Sequence, residues 1–190
     1  MSPALDQLKQ DLTGVWVSIA PELRPSAAKN PDGTFKAFYL TREFTYRTGD
    51  AFTLSITNFV DPNGKLPLAH IQIEGHMHWA GEHTIAPGAQ KVDFVADTAY
   101  AVTPLLQGFA DLLNQVAAQD YAKWEVGQAQ SVFGKNFAPF GLAAGKHFME
   151  YDLVHLAHGL LFWGARHVDG RGFDTDANRP TNLQIPLVRK

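Results

Sequence analysis

A row of imidazole, carboxylate and amide side chains occupies alternate positions of one short segment of this sequence. Alternation along residues 69–79 gives the segment two chemically opposite faces, because side chains of a β-strand point alternately to its two sides. One face is apolar and consists of Ile71, Ile73, Met77 and Trp79. The other is polar and consists of His70, Gln72, Glu74, His76 and His78. Such a row could transfer protons near neutral pH or bind a metal ion.

The polar row has two alternative locations. As the wet side of an antiparallel strand it is a solvated outer surface. If it lines the interior, His76 and His78 project together, and Glu74 completes an acid–base site or His83 completes a metal site. A further ligand for the metal ion, such as His155, could also come from a distant segment of the chain. The sequence leaves both locations open and predicts no cofactor.

Arg42 is a second chemical feature, because it interrupts an apolar strand face. The even positions of residues 36–46 read Lys, Phe, Leu, Arg, Phe and Tyr. A buried guanidinium requires a partner, so Arg42 is predicted to pair with Glu22 or Glu150, or to hold the carboxylate or another anion of a ligand through its bidentate fork. The candidate ligand-binding residues are Trp16, Arg24, Arg42, His76, His78 and His155.

Residues 146–157 pose a similar question. The odd positions, from His147 to His155, fit either a core strand with satisfied histidines or a cavity wall with polar anchors. Glu150 and Asp152 share the other face and would hold raised pKa values if enclosed, although neighbouring carboxylates are ordinarily solvated or salt-bridged.

The elements that must position these residues are short strands separated by turn-forming residues. Nine strands are predicted, at about 14–20, 34–47, 51–60, 68–79, 90–101, 123–133, 146–157, 160–167 and 182–188. A short helix is predicted in the first dozen residues, and a longer one near 103–119, with Thr103 as its cap and Pro104 in its first position. Many strands with few helices predict a mainly β fold closed into a single antiparallel β-barrel, because closure removes exposed strand edges. About eight strands enclose a packed interior or one small ligand.

Composition narrows the possible partners. A chain of 190 residues with 45% hydrophobic residues is predicted to form one domain over 1–190. The net charge is −3 and the basic residues are scattered, which argues against nucleic acid and anionic membranes as partners. No apolar run approaches the roughly 18 residues that span a bilayer. The lack of cysteine excludes disulfides and thiolate chemistry, and we expect a cytoplasmic protein of undetermined oligomeric state.

Several motifs resemble a known family. Gly14-Val15-Trp16 is similar to the Gly-x-Trp start of lipocalin-like proteins. Segments that resemble the domain named after adenomatosis polyposis coli down-regulated (the APCDD domain) are Pro21-Glu22-Leu23-Arg24-Pro25, Thr34-Phe35-Lys36-Ala37-Phe38, Leu40-Thr41-Arg42-Glu43-Phe44, Val102-Thr103-Pro104, Leu112-Leu113-Asn114, Trp124-Glu125-Val126-Gly127, Leu160-Leu161-Phe162-Trp163-Gly164, Arg179-Pro180 and Gln184-Ile185-Pro186-Leu187. The resemblance covers most of the chain.

This resemblance implies a lipocalin-like barrel with a cavity, which in animal members binds lipid extracellularly and antagonises acylated signalling proteins of the Wnt type. Pro21 stands where the family pattern has cysteine, and one domain is present where animal members have two. We therefore expect the barrel and cavity to carry over without the signalling role.

The expected function is binding of a small lipophilic molecule that has a polar or anionic end. The alternative is a barrel enzyme that acts on a hydrophobic metabolite, with His76 and His78 as acid–base groups or metal ligands. A third possibility is an interaction module for a protein partner.

Overall fold

The computed structural model describes residues 3–84, 87–116 and 120–190, and these ranges contain ten strands of one antiparallel sheet, two α-helices and three short 3-10 helices at Thr48–Asp50, Ala138–Phe140 and Asp176–Asn178. The elements are α1 (Pro3–Leu12), β1 (Gly14–Ser18), β2 (Glu22–Lys29), β3 (Phe35–Tyr46), β4 (Ala51–Phe59), β5 (Pro67–Glu82), β6 (Gln90–Pro104), α2 (Gln107–Val116), β7 (Gln130–Ser131), β8 (Phe148–Ala157), β9 (Leu160–Trp163) and β10 (Leu187–Arg189). The predicted mainly β, antiparallel architecture is confirmed.

Eight of these strands form a closed ring. The neighbours run β1-β10-β9-β8-β6-β5-β4-β3, and β1 closes the circle by pairing with one half of β3, where Trp16 lies opposite Phe44. Strand β2 continues alongside the other half of β3, where Arg24 lies opposite Phe38. The long strand β3 therefore pairs with two successive segments of the chain, β1 and β2. Both segments direct side chains into the same interior.

Apolar side chains fill one end of the ring. Trp16 is 1% exposed and its Nε1 donates a hydrogen bond to the Leu12 carbonyl at 2.7 Å, which fixes the end of α1 beneath the strands. Lys9 of α1 also pairs with Asp50 at 2.7 Å, in the turn between β3 and β4. Above this plug, the Trp163 ring stacks on Phe44 and Phe94 with centroid distances of 4.3 and 4.1 Å. This end of the interior is a packed core.

Several elements differ between prediction and structure. Residues 22–29 form β2, for which the sequence predicts no strand, and the predicted strand 182–188 is confined to Leu187–Arg189. The predicted strand 123–133 is reduced to Gln130–Ser131, because Asn114 of α2 binds both the N–H and the carbonyl of Trp124 and so replaces a ladder at that residue. The predicted helix 103–119 begins only at Gln107, and residues 117–119 lie outside the described part. Thr103 and Pro104, expected to start it, instead pair with β5 as the end of β6.

Candidate functional site

A cavity of about 840 Å³ occupies the ring on the side away from α1. Its wall is mainly aliphatic and aromatic, with Leu40, Phe44, Leu54, Ile56, Ile71, Tyr100, Phe148 and Trp163 among its members. Loop residues 139–143 and 172–174 complete its rim. An adjoining space of about 80 Å³, here named the inner extension, shares lining residues such as Phe44, Tyr100 and Glu150 with this chamber and is also lined by the core residues Phe52, Ile73, Phe94 and Ala96. The interior thus has a wide chamber with several charged side chains in its lining and a mainly apolar inner end.

Two arginines on the cavity wall are held by one carboxylate. Arg42 donates from Nε to Glu22 Oε1 at 3.0 Å and from Nη2 to Glu22 Oε2 at 3.1 Å. Arg24 donates from Nη2 to the same Oε2 at 2.8 Å. Ser18 Oγ adds a bond to Oε1 at 2.7 Å. Burial raises the pKa of Glu22, but the charges of Arg42 and Arg24 and the Ser18 hydrogen bond outweigh it, so the pKa is lowered and Glu22 is ionised.

This Arg24–Glu22–Arg42 cluster has a net charge of about +1, from two guanidiniums and one carboxylate. Both arginines line the cavity, and neither Nη1 group has a hydrogen-bond partner within the described ranges. The Arg42 guanidinium also lies 5.5 Å from the centre of the Trp163 ring, which orients it by a cation–π contact. A cluster of this charge can donate hydrogen bonds to an anion.

Two carboxyl groups lie on the cavity side of β8. Asp152 is 2% exposed, and its Oδ1 accepts hydrogen bonds from the N–H groups of Leu153 at 2.7 Å and Gly164 at 3.0 Å. Glu150 lines both the chamber and its extension, and its carboxyl has no hydrogen bond or ion pair with any residue that the structure describes. Two residues apart on one strand, the two groups share one face.

The pKa values of these carboxyls are shifted upward. Burial, with the added repulsion of Glu150, raises the pKa of Asp152 to about 7 despite the Leu153 N–H and the attraction of Arg42 and Arg24. Burial likewise raises the pKa of Glu150, against the attraction of Arg24, Arg166 and Arg42. Such groups can donate a hydrogen bond near neutral pH or serve as acid–base groups.

The histidine row of β5 lies outside the ring. Ile71, Ile73 and Met77 are buried inside, so His76 and His78 are exposed on the outer face, and Glu74 shares that face. His76 Nδ1 pairs with Asp97 Oδ1 at 2.9 Å while its side chain stays 46% exposed. Neither histidine lines the cavity.

The alternative metal site is not assembled. Among the described residues, no group of three or more His, Asp or Glu side chains could hold a metal ion. His83 is buried, and burial followed by the charges of Lys91 and Arg179 lowers its pKa.

The remaining predicted site residues divide between the cavity and its surroundings. Arg24 and Arg42 line the cavity, whereas Trp16 belongs to the plug at the other end. His155 is half-buried on the far side of β8 near Phe162, with its Nδ1 lacking a hydrogen-bond partner in the described part, and it lines neither space. Of the odd positions of residues 146–157, His147 and Met149 contribute to the cavity wall.

Sequence reasoning did not select Glu150 and Asp152 as site residues, although a signal was present. The even positions from Phe148 to Leu156 place two carboxyl groups among apolar side chains, which is the pattern that singled out Arg42. Arg166 and Lys146 also line the cavity, from segments with no regular alternation.

No helix in the described ranges has the length and apolar character needed to cross a membrane.

Comparison with known protein families assigns this chain to none of them. A search against protein-family models finds no match to this chain.

Proposed function

We propose that this chain is a lipocalin-like β-barrel that binds a small lipophilic molecule with an anionic end. The observation behind the proposal is the cavity of about 840 Å³, whose mainly apolar lining includes Arg24 and Arg42, each with an Nη1 group that has no hydrogen-bond partner among the described residues. Ligand pockets are ordinarily of this size and combine apolar walls with a few placed polar groups.

The apolar part of the ligand is proposed to lie toward the inner extension. Phe52, Phe94 and Ala96 line this end, together with aliphatic residues of β4 and β5. Burial of a hydrocarbon tail there contributes roughly 25 cal/mol for each Å² removed from water, before the costs of ordering are subtracted.

The anionic end is proposed to meet the Arg24–Glu22–Arg42 cluster. Each guanidinium uses two of its three nitrogens to bind Glu22, and its Nη1 group has no hydrogen-bond partner among the described residues. A carboxylate or sulfonate that accepts from both Nη1 groups would use donors already held in place, so little ordering is needed on binding.

The resemblance to the APCDD domain supports the same proposal, since that family has a cavity in a lipocalin-like barrel. Arg24 and Arg42 lie within two of the segments that resemble it, Pro21–Pro25 and Leu40–Phe44. We do not extend the proposal to its signalling role.

Catalysis in the same cavity is a second candidate function. Glu150 lines the cavity beside Tyr100, whereas His76 and His78 lie on the outer face. An enzyme of this cavity would therefore use Glu150 as its acid or base. Mass spectrometry of the ligands retained by wild-type protein and by a Glu150→Gln variant distinguishes an enzyme from a binding protein. An enzyme would convert its ligand only in the wild type.

The binding proposal is tested with 11-(dansylamino)undecanoic acid, a fluorescent carboxylate with an apolar chain. We expect saturable binding by the wild type and binding at least about tenfold weaker for the methyl ester, which lacks the charge. Native mass spectrometry of gently purified protein should also show a retained ligand. No saturable binding of the acid would refute the proposal.

A pair of variants at the cavity rim locates the binding. Ala143 and Ala144 are adjacent and exposed, but only Ala143 lines the cavity. Ala143→Trp should obstruct entry and weaken binding, whereas Ala144→Trp adds the same ring outside the cavity and should leave binding unchanged. Equal effects of the two variants would place the probe elsewhere.

A further inference from the structure

Glu150 is the one cavity carboxyl without any hydrogen bond or ion pair to the described residues, although three arginines face the same chamber. We propose that Glu150 is a ligand-binding residue that acts in its protonated form: it donates a hydrogen bond to the anionic end held by Arg24 and Arg42, so the site takes up a proton together with the anion. This inference rests on the proposed function and adds the protonation state of the site.

The charge balance of the cavity favours this arrangement. With Glu150 and Asp152 both ionised, they, Glu22 and Asp174 balance the positive charges of Arg24, Arg42, Arg166 and Lys146, and the chamber has no net charge that attracts an anion. With both protonated, the cluster keeps its net charge of about +1. An anion beside Glu150 also disfavours a second negative charge there, which promotes proton uptake on binding.

Other charged and titratable groups surround the carboxyl pair. Those that line the cavity with it are Arg24, Arg42, Arg166, Lys146, His147, Asp174 and Tyr100. Glu22 lies behind the arginines and is neutralised by them. The buried Tyr46 and Tyr100 stay protonated, because burial raises the pKa of each hydroxyl. The carboxyl pair is thus the group in this chamber that can add negative charge beside a bound anion when it loses its protons.

The direction of the pH dependence follows from these charges. Burial raises the pKa of Asp152 to about 7 and also raises the pKa of Glu150. Protonation of the pair at lower pH removes its negative charge, so the anion binds more tightly there. As pH rises past about 7, ionisation of Asp152 adds a negative charge to the chamber and the anion binds more weakly.

Calorimetric titration with decanesulfonate, below its critical micelle concentration, tests the proposal with a ligand that does not itself change protonation state. A sulfonate keeps its charge across the range, so any proton uptake belongs to the protein. We expect affinity to fall by about tenfold or more between pH 6 and 8, with net uptake of a proton on binding near pH 7.5, measured in buffers that differ in ionisation enthalpy. These two measurements need only the wild-type protein.

Variants assign the effect to residues. Glu150→Gln keeps an N–H donor at every pH, so its affinity should depend less on pH and its proton uptake should fall. Asp152→Asn should reduce the loss of affinity above pH 7. Glu125→Gln is the matched control, because Glu125 is an exposed carboxylate that lines neither space, and it should behave as wild type.

The possible failures are distinguishable. Saturable binding with constant affinity and no proton uptake would overturn this inference and leave the proposed function intact. Proton uptake that persists unchanged in both Glu150→Gln and Asp152→Asn would also overturn it. No binding of either decanesulfonate or the dansylated acid at any pH would overturn the proposed function itself.

Discussion

Arg42 and Glu22 form a bidentate ion pair that joins β3 to β2, with Arg42 Nε 3.0 Å from Glu22 Oε1 and Nη2 3.1 Å from Oε2. Strand β2 pairs with β3 alone among the described strands, so this ion pair reinforces its attachment to the ring. Because Arg24 follows Glu22 by two residues and binds the same carboxylate, the pair also sets the position of the second guanidinium on the cavity wall.

Loss of the Glu22 charge should be strongly destabilising. In Glu22→Gln, two buried guanidiniums lose their shared counter-charge, and we expect the free energy of unfolding to fall by about 3 kcal/mol. Glu43→Gln is the control, because Glu43 forms an exposed pair with Lys190 at 2.8 Å and should cost less than about 1 kcal/mol. Urea denaturation at pH 7 measures both. Equal losses in the two variants would contradict a special role for the buried cluster.

Asp152→Asn should change how stability depends on pH. Its folded-state pKa is raised from 3.8 to about 7, so between these values the folded protein holds a proton that the unfolded chain has released. Raising pH through this window therefore lowers the stability of the wild type, and this contribution is fully lost above about 7.

The comparison with wild type isolates that contribution. The stability of Asp152→Asn relative to wild type should rise by a few kcal/mol, in order of magnitude, from pH 4 to pH 7.5. Exposed Asp174→Asn should show no such trend. Denaturation at a series of pH values measures both differences, and a constant difference for Asp152→Asn would contradict the raised pKa.

Gly75 should not tolerate alanine. It lies in β5 where the register with β6 shifts, and an added Cβ would lie 1.8 Å from the Val95 carbonyl oxygen. Gly75→Ala must therefore displace backbone, and we expect a loss of about 2 kcal/mol or more in thermal or urea denaturation. Gly108→Ala in α2 is the control, because its added methyl meets open space and alanine favours the helix by up to about 1 kcal/mol. A Gly75→Ala variant as stable as wild type would contradict the close approach.

Much of the scaffold could be read from the sequence, because alternation and turn residues are local signals. The even positions of β3 predicted an inward Arg42, and Glu22 was one of the two partners expected for it. Strand β2 was missed because Pro25 interrupts the hydrophobic pattern and removes a backbone donor, which only a strand such as this one, paired along one side, tolerates.

The site itself was harder to read, because it depends on which strand faces meet inside the ring. Along the predicted strand 146–157 both faces mix polar and apolar residues, so periodicity could not decide between Glu150 with Asp152 and His147 with His155. Enclosure, which raises the carboxyl pKa values, comes from distant strands and is not encoded locally. In β5, by contrast, the apolar row of Ile71, Ile73 and Met77 already opposed the histidines, and that row is the buried one.

The histidine row gives a direct test of cavity location. A His76→Ala/His78→Ala variant should bind the dansylated acid as wild type does, because both side chains are exposed on the outer face. Its stability should change by less than about 1 kcal/mol, since the His76–Asp97 pair is a surface contact. Fluorescence titration and denaturation measure the two effects. A loss of binding without a loss of stability would move the ligand site to the outer face.

Ala96 should determine the length of ligand tail that the cavity accepts. It is 2% exposed and lines the inner extension of about 80 Å³, so Ala96→Leu places three additional carbon atoms in a space of that size. If the tail enters this extension, affinity for a long alkyl sulfonate should fall by about tenfold or more. The reason is that roughly two methylene groups of the ligand, each worth about 0.8 kcal/mol when buried, can no longer be buried there.

Comparison of two chain lengths makes the test independent of general damage. Binding of hexanesulfonate, which is too short to need the extension if its anion lies at the Arg24–Glu22–Arg42 cluster, should change little in Ala96→Leu, whereas binding of dodecanesulfonate should weaken. Ala99→Leu is the control, because Ala99 lies on β6 opposite Glu74 of the outer row and lines neither space. Equal weakening of both sulfonates in Ala96→Leu would show that the tail lies outside the extension, since a blocked inner end must discriminate by length.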